Sequence, residues 1–402
     1  MPLNRITIVV LACILYAHNA GCAPPELFTS TVRIHRNALK IAENTGLMIQ
    51  DQDGFLWFGT NGSGLYRYDG INLKPFKTGP GSISDNYIFA LFEDREGIIW
   101  IGTRNGLNKY DKHTDTFTVY HHNPDNASSI SDDVFAWGSR SIWEDTSGAI
   151  WVGTMKGLNR LDKTTGKFTR YFHDPGNPVS LGSNAIYAGL EDRNQVIWVA
   201  TLGGGLNRLD RATGQFTRFV HDPGNPDSIS DNHLMSIIED RDGLIWVGTK
   251  SGGLNRFDRH SETFKRFVHD PEDPLSISHN NILSIYEDRQ GLLWFTRYDV
   301  SPFGLECYDK KNGQFRVYHH DPQDPYSLSS DLVFGIFEDR AGTLWIIHLL
   351  ESVDKIDRYG SRFDVFRHHA HNPNSISANA VVRVFEDSRE QIWVGPFGTG
   401  ID

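Results

Sequence analysis

The chain has 402 residues, enough to bury one large core or two ordinary ones, and carries 39 Lys and Arg against 50 Asp and Glu, a formal charge of −11. No basic cluster offsets that sum, so a phosphate backbone would be repelled and nucleic acid is excluded as a partner. Three cysteines, Cys13, Cys22 and Cys307, are too few for a disulfide framework or a cysteine-rich metal cage, and 38 Gly with 12% aromatics marks a protein of strands and turns.

The N-terminal segment reads as an address. Arg5 precedes the apolar run Ile6 to Ala17, which suits the core of a signal peptide and is shorter than the ~20 residues that cross a bilayer. Residues 1–22 are expected to direct export to the periplasm, the outer membrane or the cell surface. Ala20 and Gly21 before Cys22 are similar to a bacterial lipoprotein processing site, with Asn19 where that pattern has Leu; such processing would leave a lipid anchor on Cys22. No later stretch is apolar enough to span a membrane.

From residue 23 onward one unit repeats. Trp recurs at 57, 100, 151, 198, 246, 294, 345 and 393, a mean spacing of 48 residues, so the chain holds eight copies, the last incomplete. The fifth copy shows the unit plainly, from Leu234-Met-Ser-Ile-Ile-Glu-Asp through Leu244-Ile-Trp-Val-Gly-Thr and Leu254-Asn-Arg-Phe-Asp to Phe264-Lys-Arg-Phe-Val-His-Asp-Pro. Each copy has four short runs rich in β-branched and aromatic residues. Gly97, Gly148, Gly243, Gly291 and Gly342 supply the positive φ that closes a tight loop between runs one and two. Runs three and four meet at Thr165-Gly166, Thr213-Gly214 and Asn312-Gly313. The connection to the next copy, such as His221-Asp-Pro-Gly-Asn-Pro, is too rich in proline to pair.

Four antiparallel strands with apolar faces on both sides are not stable alone, and radial stacking buries both faces. The expected fold is therefore all-β, a β-propeller of seven to eight four-stranded blades, with the recurrent Trp packed between neighbours. Segment Leu27 to His35 is expected to be a stray outer strand that completes the last, truncated copy; the alternative is that the chain continues beyond Asp402 in a longer protein.

The string Glu-Asp-Arg-x-Gly-x-x-Trp-Val-Gly-Thr-x-x-Gly-Leu-Asn-Arg-x-Asp, nearly complete at Glu93 to Asp111 and Glu239 to Asp258 and looser at Glu144 to Asp162, resembles the two-component regulator propeller repeat. The resemblance covers roughly residues 40–402. It implies the exported sensor region of bacterial hybrid histidine kinases, often two seven-bladed propellers followed by a small β-sandwich, a membrane helix and a kinase. None of the last three is apparent here, so signalling by this chain alone is not expected. Eight Trp copies fit either an eight-bladed ring or a seven-bladed ring whose eighth copy begins a second one.

A residue found in every blade is scaffold, because one site does not need eight copies of it. That rule assigns His-Asp-Pro at 173–175, 221–223, 269–271 and 320–322 to strand ends and turns rather than to acid–base pairs or metal ligands. It likewise makes pairs such as Glu191-Asp192 and Glu338-Asp339 turn formers rather than paired glycosidase carboxylates, and Gly203-Gly204-Gly205 a turn rather than a phosphate cradle.

Function belongs where blades differ, on the face that loops between strands two and three share with the inter-blade connections. The candidate ligand-binding residues are Asn61, Arg104, Trp137, Arg140, Lys156, Lys250, Arg297, Tyr298 and His348, with Asn105 and Leu202 beside them. Cations and aromatics there suit a polar or acidic ligand such as a sugar or uronic acid. Three copies break the rule: the third inserts Gly138 to Ser141 and directs Arg140 to the funnel, the sixth replaces Val-Gly-Thr with Phe295-Thr296-Arg297, and the seventh has Ile346-Ile347-His348. The expected activity is sensing of a small-molecule or oligosaccharide ligand with no catalysis, cofactor or metal, passed on through a homodimer or second propeller. A membrane is reached only through Cys22 or a helix beyond this chain. The rival readings are a propeller lyase, to which Trp294-Phe295-Thr296 is similar through the streptogramin lyases, and a surface-attached interaction module.

Overall fold

A computed structural model of the chain describes residues 33–39, 45–136, 140–297, 304–324, 326–348, 353–357, 381–386 and 392–396. Each repeat forms a sheet of four antiparallel strands paired in chain order, over residues 45–76, 88–120, 142–171, 186–219, 234–267 and 284–318. The seventh sheet takes three strands from 333–357 and its fourth from the N-terminus, where Arg33–Leu39 runs antiparallel to Val353–Asp357 with Arg33 opposite Asp357. First strands of adjacent sheets touch one another and so stand innermost.

The ring has seven blades. The N-terminal strand completes the seventh blade, not the truncated eighth copy, and its described part begins at Arg33. The eighth copy contributes the antiparallel pair Val381–Glu386 and Ile392–Pro396 to a second compact unit, 359–402. Closure at seven is independent of the N-terminal strand: the backbone N–H of Arg340 in blade seven donates to Gln50 Oε1 of blade one at 2.8 Å, and the Arg340 guanidinium donates to the Gln52 carbonyl at 2.7 Å. An eighth blade has no place in that seam.

Seven apolar clusters, one per junction, hold the ring. Trp57 packs with Ile88, Ile99 and Tyr110 of the next blade, and Trp100 with Ile142, Val152 and Phe168. Trp151, Trp198, Trp246 and Trp294 repeat the arrangement, while Met48 and Phe58 meet Ile347, Val353 and Trp345 across the seam. Trp57 and Trp294 are 0% and 3% exposed; each such indole withdraws about 200 Å² from water, roughly 5 kcal/mol of transfer free energy. Glycine two residues after the Trp permits the close approach: a Cβ on Gly153 would lie 2.4 Å from Cγ2 of Ile186. The hairpin glycines have φ between 79° and 94°, and in blade four Gln195 takes the same left-handed conformation at 61°.

Polar groups follow the same seven-fold logic. In every blade the Asp of the Glu-Asp pair accepts the indole N–H of its own Trp at 2.5 to 2.9 Å. The other oxygen of Asp240 takes the amides of Asp242 and Leu244, which builds the turn. The preceding Glu reaches back to the previous blade and accepts a turn N–H at 2.5 to 2.9 Å, with Gln50 in its place at the seam. These pairs therefore form turns, as the sequence indicates, and also clamp neighbouring blades. Lys112, Lys163, Arg211, Arg259 and Lys310 each bridge the Asp of one blade and the Glu of the next; Lys310, for example, lies 2.9 Å from Asp240 and 2.7 Å from Glu287. At the seam the corresponding residue is Gly70 and the Glu is Gln50. The cation and the Glu are lost together, and Asp339 there keeps the Trp345 indole and the Thr343 amide as its donors.

Burial alone would raise the pKa of Asp240, but hydrogen bonds from Lys310 and Trp246 outweigh it and hold the carboxyl below the usual range; Asp145 is lowered likewise, with Ser147 and Trp151 as donors. Asp240→Ala is expected to destabilise the ring by about 3 kcal/mol in denaturant titration. Because the folded pKa values lie below the unfolded ones, the stability these aspartates supply is complete above about pH 4 and falls as pH drops through the lowered values. Melting temperatures measured from pH 6 to pH 3 should fall accordingly.

Candidate functional site

Loops between strands two and three are tied to the inter-blade connections, which places both on one face. Arg104 N donates to Tyr87 O at 3.2 Å, Met155 N to Val134 O at 2.9 Å, Leu202 N to Ala185 O at 2.9 Å and Lys250 N to His233 O at 2.9 Å. Asn61 joins the same layer through an isolated bridge to Tyr87. The sequence-predicted residues Asn61, Arg104, Lys156 and Lys250 therefore share a rim, although they belong to blades one, two, three and five. On this rim the Arg104 guanidinium lies 4.2 Å from the ring centroid of Tyr87 and 3.4 Å from Asp85, and Lys156 lies 3.3 Å from Asp132. Lys250 is exposed. Trp137 and Tyr298 lie outside the described residues.

Arg297 and His348 do not face the opening. Both occupy the position that is Thr in the regular blades, where the hydroxyl bonds a loop carbonyl and the strand-three Asn takes an amide of the incoming connection; Thr249 and Asn255 are one such pair. In blade six Arg297 is 7% exposed and pairs with Glu306 at 3.3 Å, Glu306 standing where blades two to five have Asn. In blade seven His348 is wholly buried with its Nε2 2.9 Å from Asp354, again in the Asn position. The Thr–Asn pair has been exchanged twice, for Arg with Glu and for His with Asp, so each time the partner has changed too. Burial raises the Glu306 pKa against the opposing effect of Ser278 and Arg297, whereas for Asp354 the His348 contact outweighs burial and lowers it.

The His-Asp-Pro histidines are likewise structural. His173, His221, His269 and His320 each place Nδ1 at 2.6 to 2.9 Å from a carbonyl eight residues later, which folds the connection onto itself. Among the described residues no three His, Cys, Asp or Glu side chains group as metal ligands, and no helix is long and apolar enough to cross a membrane.

Inside the ring the first strands enclose an axial channel of about 640 Å³ with a largely apolar wall that includes Met48, Ile142, Trp143, Ile237, Tyr286 and Phe337. Its charged lining residues are Glu93, Glu191, Glu239 and Arg140. The three glutamates are already engaged with Lys112, Arg211 and Arg259. Among the described residues Arg140 forms no ion pair; its guanidinium reaches across the axis to 5.9 Å from the Tyr286 ring centroid. Tyr87, Trp143 and Tyr286 were not singled out from sequence: Trp143 and Tyr286 stand at a position that is hydrophobic in every blade, Tyr87 at one that varies from Ala185 to His233, and their roles show only when the blades are set in register.

A family model for the two component regulator propeller matches residues 82–105, 228–251 and 276–296, each spanning the end of an inter-blade connection and the first hairpin of a blade. The three matched segments, in blades two, five and six, are thus similar to that repeat. The extracellular domain of a hybrid two component system from B. thetaiotaomicron is 27% identical with a TM-score of 0.68, covering 92% of this chain and 48% of that one. A histidine kinase of Formosa agariphila is 43% identical over 49 residues, 12% of this chain and 3% of the kinase. A streptogramin B lyase superposes with a TM-score of 0.57 at 16% identity over 81% of this chain and 97% of its own, a likeness of fold. The chain thus spans about half the length of the solved extracellular domain and a small part of the kinase.

The exchanged pair in blade six supplies a test. Arg297→Thr strands Glu306 in the interior and is expected to cost about 3 kcal/mol or more, while Arg297→Thr with Glu306→Asn rebuilds the pair of the regular blades and recovers most of it. Denaturant midpoints of the wild type, both single variants and the double variant measure this coupling.

Proposed function

We propose that this ring of regulator-propeller repeats is the extracytoplasmic, ligand-sensing part of a two-component type receptor, that it reads a glycan-derived solute, and that it performs no chemistry. The observation that carries this reading is the 27% identity to the extracellular domain of a hybrid two component system, sustained over 92% of the chain. Export to the periplasm or cell surface goes with it, and Cys22 or a helix outside this chain would supply the tie to a membrane. The rim supports a polar or acidic ligand. Arg104 stacked on Tyr87 offers a cationic and aromatic platform, and Asn61, Lys156 and Lys250 add an amide and two cations on the same face.

Rigid blades transmit little by themselves, so occupancy of the rim acts by favouring one arrangement of the ring against a second propeller or protomer. The lyase reading draws on a likeness of fold at 16% identity, and the recurrent His and Glu-Asp groups that would be its acid–base candidates are engaged in holding the blades.

Calorimetric titration of the whole chain with trigalacturonate and with neutral xylotriose tests the reading. Saturable binding is expected, with at least a tenfold loss of affinity for trigalacturonate in the variant carrying Arg104→Ala, Lys156→Ala and Lys250→Ala. Absence of binding by both sugars rejects a glycan ligand, unchanged affinity in the variant rejects the rim, and turnover of either sugar supports an enzyme instead.

A further inference from the structure

The first strands carry a device that the regularity of the blades conceals. In blades one, two, four, five and seven the pairing of strand one with strand two shifts register at one residue, a β-bulge four residues before the terminal Gln or Glu. The bulged residues are Gly46, Phe89, Tyr187, Met235 and Phe334, and Leu283 holds the same place in blade six. Met235, Leu283 and Phe334 are buried together with Tyr187 against them, an apolar cluster formed by four consecutive blades. Blade three alone places a cation at this level, because its four-residue insertion makes Arg140 the counterpart of Met235.

Arg140 is set in the lumen by backbone contacts of the insertion. Its carbonyl accepts the Gly189 N–H of blade four at 3.2 Å, and the Ser141 carbonyl accepts the Gly153 N–H at 2.7 Å, returning the chain to normal pairing. The side chain is open to the channel yet ringed by protein, so it is partly desolvated. Tyr286 does not neutralise it, since burial raises the phenol pKa and keeps the ring uncharged. Beside this level lies Trp143, in a layer that also holds Ile49, Phe92, Leu190, Ile238, Tyr286 and Phe337; it is 6% exposed, stacks on Trp151 with ring planes 7° apart, and its Nε1 has no hydrogen-bond partner among the described residues. Gly189 makes room for that indole: a Cβ there would sit 2.3 Å from the ring.

We propose that the axial channel is a binding site for a small amphipathic carboxylic acid, its carboxylate on Arg140 and its apolar body along the wall that includes Trp143 and Tyr286. The chemistry selects this class. An open-ended channel of about 640 Å³ with a mostly apolar wall and one cation that pairs with no carboxylate among the described residues matches a monoanion with a hydrocarbon or aromatic body, and the fork of a guanidinium fits a carboxylate. A phosphate dianion would meet a single cation and three glutamates in the same channel. The rim and the channel are separate places, and this site does not depend on the glycan reading.

The test uses the whole chain with phenylacetate as probe and its neutral isostere phenylacetamide as control, followed by calorimetry and thermal shift. Phenylacetate is expected to bind one to one, at least tenfold more tightly than phenylacetamide. Arg140→Gln should erase that preference while folding with an unchanged or raised denaturant midpoint, and Arg104→Gln on the rim should keep it. Lack of phenylacetate binding, equal affinity for the two probes, or a preference retained in Arg140→Gln overturns the proposal. A large loss of stability in Arg140→Gln also overturns it, by showing that the guanidinium serves the fold.

Discussion

A buried carboxylate under each indole is the contact on which the molecule rests. The aspartate takes the indole N–H with one oxygen and the amides of its own turn with the other, so a single side chain fixes the hairpin and aims the ring at the next blade. A carboxylate in that place is costly unless it is compensated, and the neighbouring blade supplies a Lys or Arg that also holds the next Glu. Hydrophobic stacking provides the attraction between blades, and the shared cations make it directional. From blade one to blade six each junction is therefore an apolar layer with a charged clasp toward one end.

Much of this was legible from the 48-residue period, because a residue that must do the same job in every blade must also recur. Strand boundaries, hairpin glycines and buried indoles follow from that period directly. Blade number did not, since eight copies of Trp say nothing about which strand the N-terminus will meet. The answer lies in Gln50 and Gly70, a matched loss of charge and counter-charge that marks blade one as the partner of blade seven.

Site reasoning ran aground for a related reason. Departures from the repeat drew attention to Arg297 and His348, yet each is matched by a second departure one strand away, Glu306 and Asp354, and the two together preserve the packing. A lone deviation and a paired deviation look alike until the strands are laid side by side. Arg140 is the contrasting case: its insertion brings a cation to the axis, and no carboxylate among the described residues accompanies it. Physical compensation, rather than mere irregularity, separates repair of the scaffold from a group left available to a ligand.

Closing the seventh blade with the N-terminal strand has a consequence for the order of assembly. Arg33–Leu39 is made early, but its partner Val353–Asp357 follows only about 320 residues later, which at ordinary ribosomal speed of about 5–20 residues per second is a delay on the order of half a minute. Throughout that wait the strand is an unsatisfied edge, open to mispairing with another nascent chain. Keeping this strand extended and unengaged until Val353–Asp357 emerges is then a requirement that the pairing itself places on assembly of the ring.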